Sequence, residues 1–148
     1  MVPTLLGRIQ TRLFLLATVG PVVTLLLVPV LPGVPAGTPL GDVLTTALVV
    51  LASVAVLGIG WELLYHLLMQ FRWEKDWPSL FGLLNLLNEG VLLFVLLKAG
   101  LVPGIPATPS AAAFWTHFTA VWLAVWLAAN GPMRVPFIRW RFRGGRLI

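Results

Sequence analysis

Hydrophobic residues in this sequence come in four long runs, and the polar positions around them predict the architecture. The first run, about Leu13–Leu31, carries no charge and one internal Gly20-Pro21, where a kink is expected that neighbouring groups can satisfy. A Pro/Gly linker, Pro32–Gly41, leads to the second run, about Val43–Gln70, which is longer than a bilayer needs and is expected to tilt or project. Trp77-Pro78-Ser79 opens the third run, about Ser79–Ala99. A second uncharged linker, Gly100–Ser110, precedes the fourth, about Ala112–Gly131, and a basic tail, Met133–Ile148, closes the chain. Each run approaches or exceeds the roughly 20 apolar residues that cross a hydrocarbon core. The pattern predicts an all-α membrane protein: one domain of four transmembrane helices in an antiparallel bundle.

Composition agrees. The 148 residues are 59% hydrophobic and 10% charged, with mean hydropathy +0.96, which leaves too little polar surface for a soluble domain of this size. A secretory signal peptide is the rival reading of the first run, because Val34-Pro35-Ala36 loosely resembles a cleavage site. The run exceeds the apolar core of about 7–15 residues found in such signals, so a retained span is expected. Without cysteine, the chain has no disulfides, thiolate metal sites or cysteine nucleophiles.

Charge then predicts orientation. Arg8 and Arg12 in a short leader, Arg72 and Lys75 in the central loop, and Arg134, Arg139, Arg141, Arg143 and Arg146 in the tail all fall on one side of a four-span arrangement. Only Lys98 falls near the other. Basic residues mark the cytoplasmic side, so a multi-pass protein of the cell membrane with both termini cytoplasmic is expected. Three or five spans would scatter these charges.

Polar chemistry is concentrated in the second and third runs, read as a hairpin with its tip between Lys75 and Asp76. Glu62 and Glu89 are equally far from that tip, as are His66 and Asn85, so each pair is expected at one depth, at about 1.5 Å rise per residue. Glu62 and His66 are i and i+4, on one helix face with Gly58, Ala55 and Ala52. Gly82, Asn85 and Glu89 share one face of the next helix, within an arc of about 60°, and Asn88 completes the cluster. Ionisable groups inside a span face a partner, a cavity or a pathway. Two carboxylates close together in low dielectric call for a shared proton, a cation or His66 to compensate them. The cluster Glu62, His66, Asn85, Asn88 and Glu89 is therefore either a proton or cation site or a hydrogen-bonded clasp.

His117, a possible accessory to that cluster, sits among Ala113, Ala120, Ala124 and Ala128, a small-residue face expected to pack on the hairpin. Trp115, Phe118, Trp122 and Trp126 form a stripe expected to meet lipid or a neighbouring protein. His66 and His117 are expected about 15 Å apart in depth, which argues against a bis-His haem. The Glu/His spacing lacks both the His-Glu-x-x-His and Glu-x-x-His patterns, and no nucleophile elbow or phosphate loop is present. No cofactor, metal or catalytic residue is expected.

In the tail, Arg134, Arg139, Arg141, Arg143 and Arg146 are interleaved with Val135, Phe137, Ile138, Trp140 and Phe142. Directly after a span, this reads as a segment for anionic lipid at the cytoplasmic face, with no nucleic-acid partner. The expectation for the whole is a non-enzymatic accessory subunit, partnered by other membrane subunits or by its own copies. The alternatives are proton- or cation-coupled transport by an oligomer and, third, an intramembrane metal-dependent hydrolase.

The charge asymmetry yields the first prediction. Single cysteines at Thr38 and Thr108 react with an impermeant thiol reagent added outside intact cells, whereas one at Arg143 does not. Labelling of Arg143→Cys from outside overturns the four-span, termini-in arrangement.

Overall fold

The computed structural model describes residues 4–73 and 79–148; the expected hairpin tip at Lys75 and Asp76, and Trp77-Pro78, lie outside the described residues. Helix α1 spans Leu5–Leu27, α2 Leu40–Gln70, α3 Ser79–Lys98 and α4 Ala111–Asn130. A short helix α5, Ile138–Phe142, lies in the tail, and 3-10 turns follow α1 and α4. No strand occurs among the described residues. All four long helices are long and apolar enough to cross a membrane.

Local chemistry starts and stops these helices. Thr4 caps α1, its hydroxyl accepting the Gly7 N–H at 3.1 Å, and Ser110 caps α4 by accepting the Ala113 N–H at 3.1 Å. Lys98 ends α3 and donates to the Pro109 carbonyl at 3.2 Å, tying that helix to the entry of α4. α1 continues as one helix through Gly20-Pro21.

One boundary differs from the sequence reading. α1 begins at Leu5 rather than near Leu13, so Arg8 and Arg12 are helical residues and not a leader. The charges do not end the span because they turn inward, where carboxylates meet them.

Packing is organised around α1, which lies along both α2 and α4, while α3 leans mainly on α4 and touches α2 less. Gly20 lets α1 approach α2 closely: a Cβ there would sit 2.8 Å from Leu51 Cδ1. The core joins Leu16 of α1, Val50, Leu51 and Val54 of α2, Leu93 and Leu97 of α3, and Phe114, Phe118 and Val121 of α4. On α3, Gly90 presents bare backbone to Phe118 and Trp115, and the Phe94 ring meets that of Phe114 at a tilt, with centroids 5.1 Å apart. The stripe of Trp115, Phe118, Trp122 and Trp126 thus turns towards α3 and the bundle interior rather than outward. Outward positions such as Val22, Leu26, Val56 and Leu127 are aliphatic, as a lipid-facing surface requires.

The tail folds back on the start of α1. The Thr4 N–H donates to the Gly144 carbonyl at 2.8 Å, Trp140 Nε1 donates to Thr11 Oγ1 at 2.6 Å, and the Leu147 N–H donates to Gln10 Oε1 at 2.9 Å. Residues 4 and 144 therefore lie at one end of the bundle. Within the tail, Ile138–Phe142 is helical and Trp140 docks on α1. Gly7 makes the close approach possible, since a Cβ there would lie 2.0 Å from the Gly144 oxygen.

Gly7→Ala is therefore expected to release the tail, at a cost of about 1–3 kcal/mol for forcing a methyl into filled space. Trypsin then cleaves the solubilised protein between Arg139 and Arg146 at least about fivefold faster, following the undocked population. An unchanged cleavage rate shows that Gly7 does not hold the tail.

Candidate functional site

Helical spacing brings four charges to one level. Arg8 and Arg12 are i and i+4 on α1, and Glu62 and Tyr65 are i and i+3 on α2. Asn85 and Glu89 are i and i+4 on α3, both buried. Arg12 stands between the two acidic helices. Its Nη1 donates to Glu62 Oε1 and to Glu89 Oε1, each at 3.2 Å, and its Nη2 pairs with Glu89 Oε2. Arg8 Nε forms an ion pair with Glu62 Oε2 at 3.0 Å, and Arg8 Nη2 donates to the Glu62 carbonyl at 3.2 Å. The Tyr65 hydroxyl donates to Glu89 Oε1 at 3.2 Å.

The surroundings shape the guanidinium seat. A Cβ on Gly58 would come within 2.3 Å of Arg12 Nε, so only glycine leaves room for the side chain against α2. Trp122 of α4 closes the other side, its ring 5.3 Å from the Arg12 guanidinium carbon. The Glu89 side chain is only 4% exposed and those of Arg8, Arg12 and Glu62 are 10–13% exposed. Two arginines face two carboxylates, so the network is neutral. Desolvating each ion costs several kcal/mol, and the bidentate Arg12–Glu89 geometry with its added hydrogen bonds is the arrangement that offsets it.

The network forms one wall of a cavity of about 350 Å³, lined also by Leu15, Leu51, Phe118, Val125 and Trp126 and reaching Trp140 and Gly145 of the tail. A second cavity of about 260 Å³ lies towards the other end, beside Asp42, Lys98 and Ser110. His117 lines both. Its Nε2 is 2.9 Å from the Thr24 hydroxyl, which donates to the Gly20 carbonyl at 2.8 Å. The hydroxyl proton is thus committed, so Nε2 is assigned as the donor to Thr24.

The sequence-derived residues are placed as follows. Glu62 and Glu89 meet at one level through Arg12, and Asn85 lines the same cavity. His66 is half-buried with its Nδ1 unpartnered, and bonds neither carboxylate. Asn88 faces outward and is exposed. His117 pairs with α1 rather than with the hairpin. Of the tail residues, Trp140 and Arg134 line the cavity, whereas Arg139, Arg141, Arg143 and Arg146 are exposed. Among the described residues, no three His, Cys, Asp or Glu side chains gather as a metal-ligand set.

Sequence reasoning missed Arg8, Arg12 and Tyr65. The signal was available: two arginines at i, i+4 next to an apolar run offer the charge that two intramembrane carboxylates need. The chain matches no known protein family, no curated protein and no solved structure.

Arg12→Leu is expected to destabilise the protein by about 3–5 kcal/mol, because it leaves buried carboxylates uncompensated. Thermal unfolding in detergent reads the loss. Arg12→Leu combined with Glu89→Leu keeps Arg8 and Glu62 as a balanced pair and recovers most of it. A double variant no more stable than the single one shows that charge balance is not what Arg12 supplies.

Proposed function

We propose that this chain is a non-enzymatic accessory subunit of a membrane complex, a multi-pass protein of the cell membrane with both termini cytoplasmic. The observation that carries this reading is the closed ion network. Glu62 receives both arginines, and Glu89 receives Arg12 and the Tyr65 hydroxyl. A carboxylate that exchanges a proton or cation must stand free in one of its states, whereas these two are held by fixed donors from α1 and α2. The network acts as a clasp that joins α1, α2 and α3, with Asn85 beside it. The exposed Arg139, Arg141 and Arg143 offer charge to anionic headgroups, each worth about 1 kcal/mol near the surface.

A second reading, proton- or cation-coupled transport, draws on the two cavities that share His117. In it Glu62 and Glu89 exchange the ion, and His117 rather than His66 stands between the two chambers.

Purification in mild detergent, with identification of co-purifying chains, tests the subunit reading: a stoichiometric membrane partner is expected. Reconstituted vesicles separate the two readings. The clasp reading expects no proton or sodium flux above that of empty vesicles. Flux that disappears in Glu89→Gln overturns it in favour of transport.

A further inference from the structure

Helix α3 buries Asn85 and Glu89 but leaves Asn88 on its outer face. Asn88 is the tenth of the helix's 20 residues, counting from Ser79. At about 1.5 Å per residue it therefore sits near the middle of a span about 30 Å long. Three hydroxyls at exposed or half-buried helix positions satisfy themselves locally: Thr18 donates to the Phe14 carbonyl at 2.7 Å, Thr45 to Gly41 at 2.8 Å and Ser53 to Val49 at 2.8 Å. The Asn88 amide has no hydrogen bond among the described residues. A carboxamide facing hydrocarbon at mid-span is costly, and the usual resolution is a hydrogen bond to a neighbouring helix.

The face around it is shaped for a helix. Leu80, Leu84, Leu87, Val91 and Val95 are 49–59% exposed and recur every three or four residues, as a helix-packing seam does. A carboxamide is also its own complement, with a donor and an acceptor in one plane. Copies of one membrane chain insert in the same orientation, so a twofold axis along the membrane normal sets residue 88 opposite residue 88 at equal depth.

We infer that α3 is a homodimer interface: two copies of this chain pair in parallel through Asn88 of each copy, with Leu84, Leu87 and Val91 packed around the amides. The inference deepens the reading of the chain as a membrane subunit and names one of its partners. It leaves the ion network untouched, because Glu89 and Asn85 are buried inside the bundle.

The absence of native cysteine makes the test direct. Single-cysteine variants Asn88→Cys and Val91→Cys, oxidised in native membranes with copper-phenanthroline, are expected to give disulfide-linked dimers. Val56→Cys, on the lipid-facing side of α2 and 70% exposed at the native residue, serves as the background control. Asn88→Leu is expected to weaken dimerisation of the otherwise native chain at least about tenfold in mild detergent, a loss of about 1.4 kcal/mol. Its thermal unfolding stays that of the wild-type monomer, since Asn88 makes no bond within the chain. Cross-linking of Asn88→Cys no greater than that of Val56→Cys overturns the homodimer. Cross-linking of Asn88→Cys to a different membrane chain also overturns it, yet upholds the subunit reading. A dimer with no other co-purifying chain upholds the homodimer and overturns the hetero-subunit reading.

Discussion

Everything in this bundle depends on one guanidinium placed between two carboxylates in a medium of low dielectric. Arg12 comes from the first helix, Glu62 from the second and Glu89 from the third, so a single side chain sets three helices to one depth. Lysine offers a point charge and cannot reproduce the planar fork that holds Glu89 through two nitrogens while reaching Glu62. The seat is equally specific. Gly58 removes the side chain that would fill it, and Trp122 covers it from α4. Because an unpaired ion in the apolar interior is so costly, the network is all-or-none: each member is tolerated only while the others are present.

That constraint explains why α1 lies at the centre of the packing. The second and third helices touch sparingly, and their polar faces are connected mainly through Arg12 and the Tyr65 hydroxyl. α3 is held on its other side by close packing, with Gly90 against Phe118 and Trp115. One helix is therefore fixed by charge on one flank and by aromatic contact on the other. Its outer face, with Asn88, is exposed.

The tail adds a second lock at the same end of the molecule. Gly7 and Gly144 bring backbones together where any side chain would intrude, and Trp140 hydrogen-bonds Thr11 one residue before Arg12. The tail thereby reaches the cavity that the ion network borders. A segment rich in arginine can thus serve the fold through its tryptophan and glycines while its charged side chains stay exposed.

The sequence by itself determined the helical class and the number of spans, because the length of an apolar run and its break at Pro/Gly linkers are local properties that the bilayer reads directly. It also determined that Glu62 and Glu89 share a level, since fixed helical rise makes depth a matter of counting. Tertiary structure decided the rest. Arg8 and Arg12 looked like a leader because charge normally ends a span, and only partners contributed by other helices allow the helix to include them. Asn88 and His66 looked like members of the cluster because linear proximity cannot resolve which side of a helix faces inward. Glu89 and Asn88 are adjacent in the chain yet about 100° apart around the helix, and packing alone turned one in and the other out. The aromatic stripe on α4 had the same ambiguity: tryptophan suits lipid and protein alike, and the bare backbone of Gly90 gave it a surface to pack against.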